Sequence, residues 1–191
     1  MNWSEILKSV FTLSLVYSTI RVGISILFAG MGEMITERSG VLNIGVEGVM
    51  LMGALAAALG SYFSGSAWVG LLAAGVVGML VGLLFSFISI TLRSNQSITG
   101  LAIYLLCVGL SGYLLQIIFE HGGNSPMVTT LPNWHMAFLE NVPMLGPIFN
   151  DQTVLMFPAL LLPFFLYIVF YRTPWGSWLR ATGENPKALA V

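Results

Sequence analysis

Two long apolar runs, Val10–Ala29 and Val49–Phe63, flank the stretch Gly32–Gly48, which holds three Glu, one Arg, one Asn and four Gly. Groups this polar are costly at membrane depth unless they line water, bind a ligand or pair with one another. Glycines at this density let a backbone bend or approach a neighbour closely. A polar, Gly-broken segment between apolar helices is how a transporter builds a site inside a bilayer. This stretch therefore limits the chain to folds in which irregular backbone lies beside packed membrane helices.

The composition agrees. Charged residues make up 8% of the 191 and hydrophobic residues 57%, whereas a soluble domain carries about 25% charge. With a mean hydropathy of +0.88, the chain reads as an integral membrane protein. A net charge of -1 offers no basic surface for nucleic acid. The single cysteine, Cys107, lies in an apolar run, which excludes disulfides and makes a thiolate there unfavourable. No basic segment precedes the first apolar run, so that run is expected to stay as an anchor rather than be cleaved.

A spanning helix needs about 20 apolar residues. The first candidate, Val10–Ala29, follows the amphipathic Trp3–Lys8 and contains Arg21, which must snorkel or find an acidic partner such as Glu33 or Glu47. The second run, Val49–Phe63, would reach only about 22 Å as a helix. Either the helix begins earlier, near Val41, and carries Asn43 and Glu47 into the membrane, or it is a half-helix after a re-entrant turn. The third span, about Trp68–Leu92, carries Gly70, Ala74, Gly78, Gly82 and Ser86 four residues apart, a small-residue stripe that predicts a helix–helix contact. Arg93–Ser97 is a polar break, and a fourth span runs from Ile98 to Phe119. Residues 120–153 form a long outer loop with both histidines and four prolines, expected to cap the membrane surface. A fifth span, Val154–Phe170, contains Pro158 and Pro163.

With the carboxyl end in the cytoplasm, Arg38, Arg93, Arg172, Arg180 and Lys187 fall inside and Lys8 alone falls outside, as the positive-inside rule requires. The expectation is an all-α, polytopic transmembrane helical bundle of about five spans, one of them broken or a half helix, with the N-terminus outside. Residues 1–171 form the membrane core and 172–191 a cytoplasmic segment.

Several residues have two readings. Asn43 and Glu47, four apart, would share a helix face and could line a pore for a neutral, hydroxyl-bearing solute. Alternatively Glu47 pairs with Arg21 or Arg38, or caps a broken helix. Gln96, Ser97 and Thr99 either face the pore or cap the fourth helix, with Ser97 as N-cap. Glu33, Glu37 and Arg38 are expected to form an ion-pair cluster at the membrane surface. His121 and His135 lack partners at ligand spacing, so no metal site is expected. Asn185–Pro186 reads as a helix start that is cut almost at once, which suggests a fragment or a truncated chain.

Gly32–Glu33 with Glu37–Gly48 and Met50 resembles the signature of the ABC-importer permease family for branched-chain amino acids, simple sugars and nucleosides, nearest its nucleoside/simple-sugar branch. Gly176, Leu179–Ala181, Gly183–Pro186 and Ala188 resemble that family's cytoplasmic coupling segment, and Gln96 with Thr99–Ala102 resembles its polar break. The resemblance implies a permease in a bacterial cell membrane that performs no chemistry, with ATP hydrolysed on cytoplasmic ATP-binding subunits. It also implies a second permease (a hetero- or homodimer), an extracytoplasmic substrate-binding lipoprotein, contact with membrane lipid, and no cofactor. Coupling residues would be Arg180, Gly183, Glu184, Asn185, Pro186 and Ala188, with Gly45, Gly48 and Arg21 structural. The alternative is a passive channel or ion-coupled carrier with Glu47 and Arg21 on an ion path.

Overall fold

Long apolar runs with few breakers leave helix as the cheapest backbone state in lipid, because each helix satisfies its own peptide groups. The computed structural model describes residues 13–119, 127–134 and 152–185. Its helices are α1 (Leu13–Arg38), α2 (Val46–Ser64), α3 (Ala67–Ser86), α4 (Gln96–Phe119), α5 (Met156–Arg172) and α6 (Pro174–Glu184). The only strands among the described residues, β1 (Asn133–Trp134) and β2 (Gln152–Thr153), pair antiparallel. Four helices (α1–α4) are long and apolar enough to cross a membrane, and the bent pair α5–α6 brings the number to five if it counts as one span. The chain is thus an all-α polytopic membrane protein. Trp3–Lys8, His121 and His135 lie outside the described residues.

Two compact units divide the chain: residues 1–32 with 131–177, and 33–130 with 178–191. In the second unit α2 packs along α3 through small residues. A Cβ on Gly70 would stand 2.6 Å from the Ala57 carbonyl oxygen, and one on Gly60 would stand 2.9 Å from the Ala73 Cβ. The stripe on α3 is therefore a helix contact at its Gly70 end, but a Cβ on Gly82 would meet nothing within 4 Å. A cluster of Phe85, Ile103 and Cys107, with Val41, Met52 and Val81 against it, ties α2, α3 and α4 together. Large apolar side chains point outward instead: Leu72 and Met79 are 70% and 67% exposed. Small residues inside and large apolar ones outside is the arrangement lipid favours.

Helix α3 ends in a π turn, Phe87–Thr91, closed by the Leu92 N–H to the Phe87 carbonyl at 3.1 Å. Ser89 Oγ donates back to the Phe85 carbonyl inside it. From the 127–130 segment, the Thr129 carbonyl accepts the Ser61 hydroxyl at 2.6 Å.

In the first unit the β1–β2 pair sits beside α5, with Trp134 edge-on to Phe157 at 5.7 Å. Pro163 lies inside α5. At Thr173 the chain bends by 79° into α6. Thr173 Oγ1 donates to the Val169 carbonyl at 2.6 Å and accepts the Gly176 N–H at 3.3 Å. Pro174 takes the first helical position, where its missing N–H costs nothing. Gly176 lies so close to the Val169 and Phe170 backbone that a Cβ would have no room.

Several boundaries differ from expectation. Helix α1 does not stop near Ala29. It continues through Gly30 and Gly32 to Arg38, because neither glycine carries a turn or a cap. The second span is a full-length helix of 19 residues, about 28 Å. It starts at Val46, so Glu47 lies in its first turn and Asn43 in the loop before it, not on a shared helix face. Helix α4 is capped by Asn95, not Ser97: Asn95 Oδ1 accepts the N–H groups of Ser97 and Ile98 at 3.0 and 3.2 Å. Helix α6 was not expected at all, and the start expected at Pro186 lies outside the described residues.

Replacing Gly70 by Ala should cost about 1–3 kcal/mol, since the clash is with backbone that cannot rotate away. The same change at Gly82 should stay within about 0.5 kcal/mol. Thermal unfolding of both variants in detergent measures the difference.

Candidate translocation and coupling site

The site is the break between α1 and α2, residues 39–45. Helix α1 ends in a Schellman motif: the Val41 N–H reaches back to the Thr36 carbonyl and the Gly40 N–H to the Glu37 carbonyl, each at 3.0 Å. Gly40 has φ +84, a left-handed conformation that only glycine adopts cheaply. The Ser39 N–H bonds the Ile35 and Thr36 carbonyls at 3.2 and 3.0 Å, and the Ser39 hydroxyl donates to the Thr36 carbonyl at 2.7 Å.

Side chains from three places hold the next residues. Gln96 Oε1, on α4, accepts the Leu42 N–H at 2.9 Å. Glu33 Oε1, on α1, accepts the Asn43 N–H at 2.9 Å. Asn43 Oδ1 accepts the Gly45 N–H at 3.0 Å, an Asx turn that delivers the chain into α2. Glu33 thus serves the break and not the ion-pair cluster expected of it with Glu37 and Arg38, both of which are exposed. Its second oxygen, Oε2, is buried with no hydrogen-bond partner among the described residues.

Backbone packing fixes the break on α4. A Cβ on Gly45 would lie 2.7 Å from the Gly100 carbonyl oxygen, and one on Gly100 would lie 3.0 Å from the Gly45 and Ile44 nitrogens. One turn on, a Cβ at Gly48 would lie 2.8 Å from the Tyr104 Cα. Thr99 is buried beside Gly100, Asn43 and Gln96 are half-buried, and Glu47 is exposed. Glu47 sits in the first turn of α2, where the helix dipole favours a negative charge.

The carboxyl-terminal segment reaches the same place. A Cβ on Gly40 would lie 3.1 Å from the Gly183 Cα, and one on Gly183 would lie 2.9 Å from the Gly40 nitrogen and against the Arg38 carbonyl oxygen. Arg180 is half-buried, while Glu184 and Asn185 are exposed. Arg21, on the first unit's part of α1, is exposed. Pro186 and Ala188 lie outside the described residues.

Residues 15–191 match the family described as the permease component of branched-chain amino acid transport systems. The chain belongs to that family. Among curated relatives of this permease-family chain is a nucleoside ABC transporter permease protein, NupC, of Lactococcus lactis, 29% identical over 98% of the chain and 60% of the relative. A guanosine ABC transporter permease protein, NupQ, of Bacillus subtilis is 30% identical over the same shares. A protein provisionally named a glucose ABC transporter permease, TsgC13, of Haloferax volcanii is 33% identical over 93% of the chain and 54% of the relative. The chain thus spans little more than half the length of the curated relatives it matches. No solved structure matches it. The permease-family chain is a multi-pass cell-membrane protein, and the matched region covers both the break and the segment that meets it at Gly183.

Sequence reading found Asn43, Gln96 and the glycines at this place. It missed Glu33 as a loop acceptor and Gly100 and Gly183 as backbone contacts, since nothing in local spacing says which distant segments meet. The cap assignment is open to measurement. Asn95→Ala should destabilise the protein by about 1 kcal/mol, while Ser97→Ala should stay within about 0.5 kcal/mol, as read by unfolding in detergent.

Proposed function

We propose that the chain is membrane-spanning permease sequence of an ABC importer that carries a nucleoside or a related simple sugar, with ATP hydrolysed on separate cytoplasmic subunits. The observation that carries this reading is that one family match runs through both the polar break and the carboxyl-terminal segment. The names of the relatives support the solute class, two of them nucleoside or guanosine permeases. A second permease chain and an extracytoplasmic binding lipoprotein complete the proposed assembly, and B. subtilis carries two guanosine permease proteins related to this chain.

In this reading residues 1–171 form the permease core with the N-terminus outside, and 172–191 face the cytoplasm. Asn43, Glu47, Gln96 and Thr99 line the solute route. The Asn43 and Gln96 amide groups keep N–H donors beyond the bonds their oxygens accept, and these suit hydroxyls and base edges of an uncharged solute. Arg180, Gly183, Glu184, Asn185, Pro186 and Ala188 form the surface on which an ATP-binding subunit docks. The permease contributes no chemical step and needs no cofactor. Its work is to exchange two helix arrangements whose relative energies the partners set.

Uptake of radiolabelled guanosine or glucose into vesicles holding the assembled transporter tests the proposal. Uptake should require ATP inside the docking side, and Glu184→Lys should lower it roughly tenfold or more without changing membrane insertion. Uptake driven by an ion gradient without ATP, or an unimpaired Glu184→Lys transporter, would sink the reading in favour of a channel or carrier.

A further inference from the structure

The break has an unusual combination of supports. Its middle N–H groups, on Leu42 and Asn43, are held by the side chains of Gln96 and Glu33, from helices on either side of it in sequence. Its first glycine touches the backbone of Gly183. A Cβ on Gly183 would have no room and one on Gly40 would be tight, so the segments meet backbone to backbone, where no rotamer can absorb a displacement. Gly183 lies at the end of α6, one residue before the exposed Glu184. The other end of the break presses on Gly100 in the same manner.

We propose that the Gly40–Gly183 contact is a rigid joint that delivers movement of residues 178–185 to the break, with Glu33 and Gln96 as positioning residues that keep the break stiff enough to transmit it. This rests on the importer reading above. A displacement of Gly183 pushes on the Arg38 carbonyl and the Gly40 amide. Because the Leu42 and Asn43 amides are tethered, the push is passed along residues 41–45 to Asn43 and to the start of α2, where Glu47 lies. Without the tethers the same push would be lost in loop rearrangement.

The experiment uses the complete permease reconstituted with its ATP-binding and binding-protein partners, and reads solute taken up per ATP hydrolysed. Gly183→Ala places a Cβ against backbone on both sides, and the transporter should still assemble and hydrolyse ATP while uptake per ATP falls roughly tenfold. Gly82→Ala, which meets open space, should match the wild type. Glu33→Ala should lower uptake per ATP by about fivefold or more, and Glu33→Gln, which keeps an acceptor oxygen for the Asn43 N–H, should restore most of it. An assembled Gly183→Ala transporter with wild-type uptake per ATP would overturn the joint. If Gly183→Ala fails to assemble, the Glu33 pair decides: a Glu33→Ala transporter as well coupled as the wild type overturns it. A wild-type complex with no ATP-dependent uptake overturns the importer reading itself, whereas a coupled wild type with coupled variants overturns only the joint.

Discussion

Where one membrane helix ends and the next begins, peptide groups lose their in-helix partners, and those kept from water must find others within the protein. Most N–H groups of residues 39–45 find one with few parts. A Schellman turn closes α1, a carboxylate and a carboxamide reach in from α1 and α4, and an Asx turn opens α2. Each device fixes the next residue in position. The break is consequently a defined piece of structure, and the close backbone contacts of Gly45 with Gly100 and of Gly40 with Gly183 depend on it.

The packing around the break follows from the same solvent. Lipid supplies no hydrophobic drive between helices, so close approach and dispersion have to hold them together. Gly60 against Ala73 and Gly70 against Ala57 bring α2 and α3 to near backbone contact. Phe85, Ile103 and Cys107 fill the remaining space toward α4. The large apolar side chains are left for the outside, and a soluble protein with so many exposed would aggregate.

Much of this was legible in the sequence. The apolar runs marked the helices, and the stripe of small residues marked a helix contact at its Gly70 end. Asn43 and Gln96 stood out because polar groups between membrane spans need a reason. The helix ends were harder. The first apolar run ends at Ala29, yet the helix continues through Gly30 and Gly32, while Gly40 is the one that turns, and the difference lies in which carbonyls the following N–H groups can reach. Asn95 displaced Ser97 as the cap because its longer side chain reaches two N–H groups at once. Helix α6 was hidden by its low hydropathy and by Pro174, which reads as a breaker until Thr173 before it is recognised as a cap. Glu33 and Gly183 depend on contacts across 10 and more than 140 positions of sequence, and no local pattern encodes those.

The central proposal is that the break holds its polar side chains beside a water-filled route. Cysteine placed singly at Asn43 and Glu47, with Cys107 changed to Ala, can be probed with a membrane-impermeant thiol reagent in the resting and ATP-bound transporter. The account predicts that both positions react in at least one of these states and that bound solute slows the reaction at Asn43→Cys. Two thiols that stay sealed in every state would contradict it.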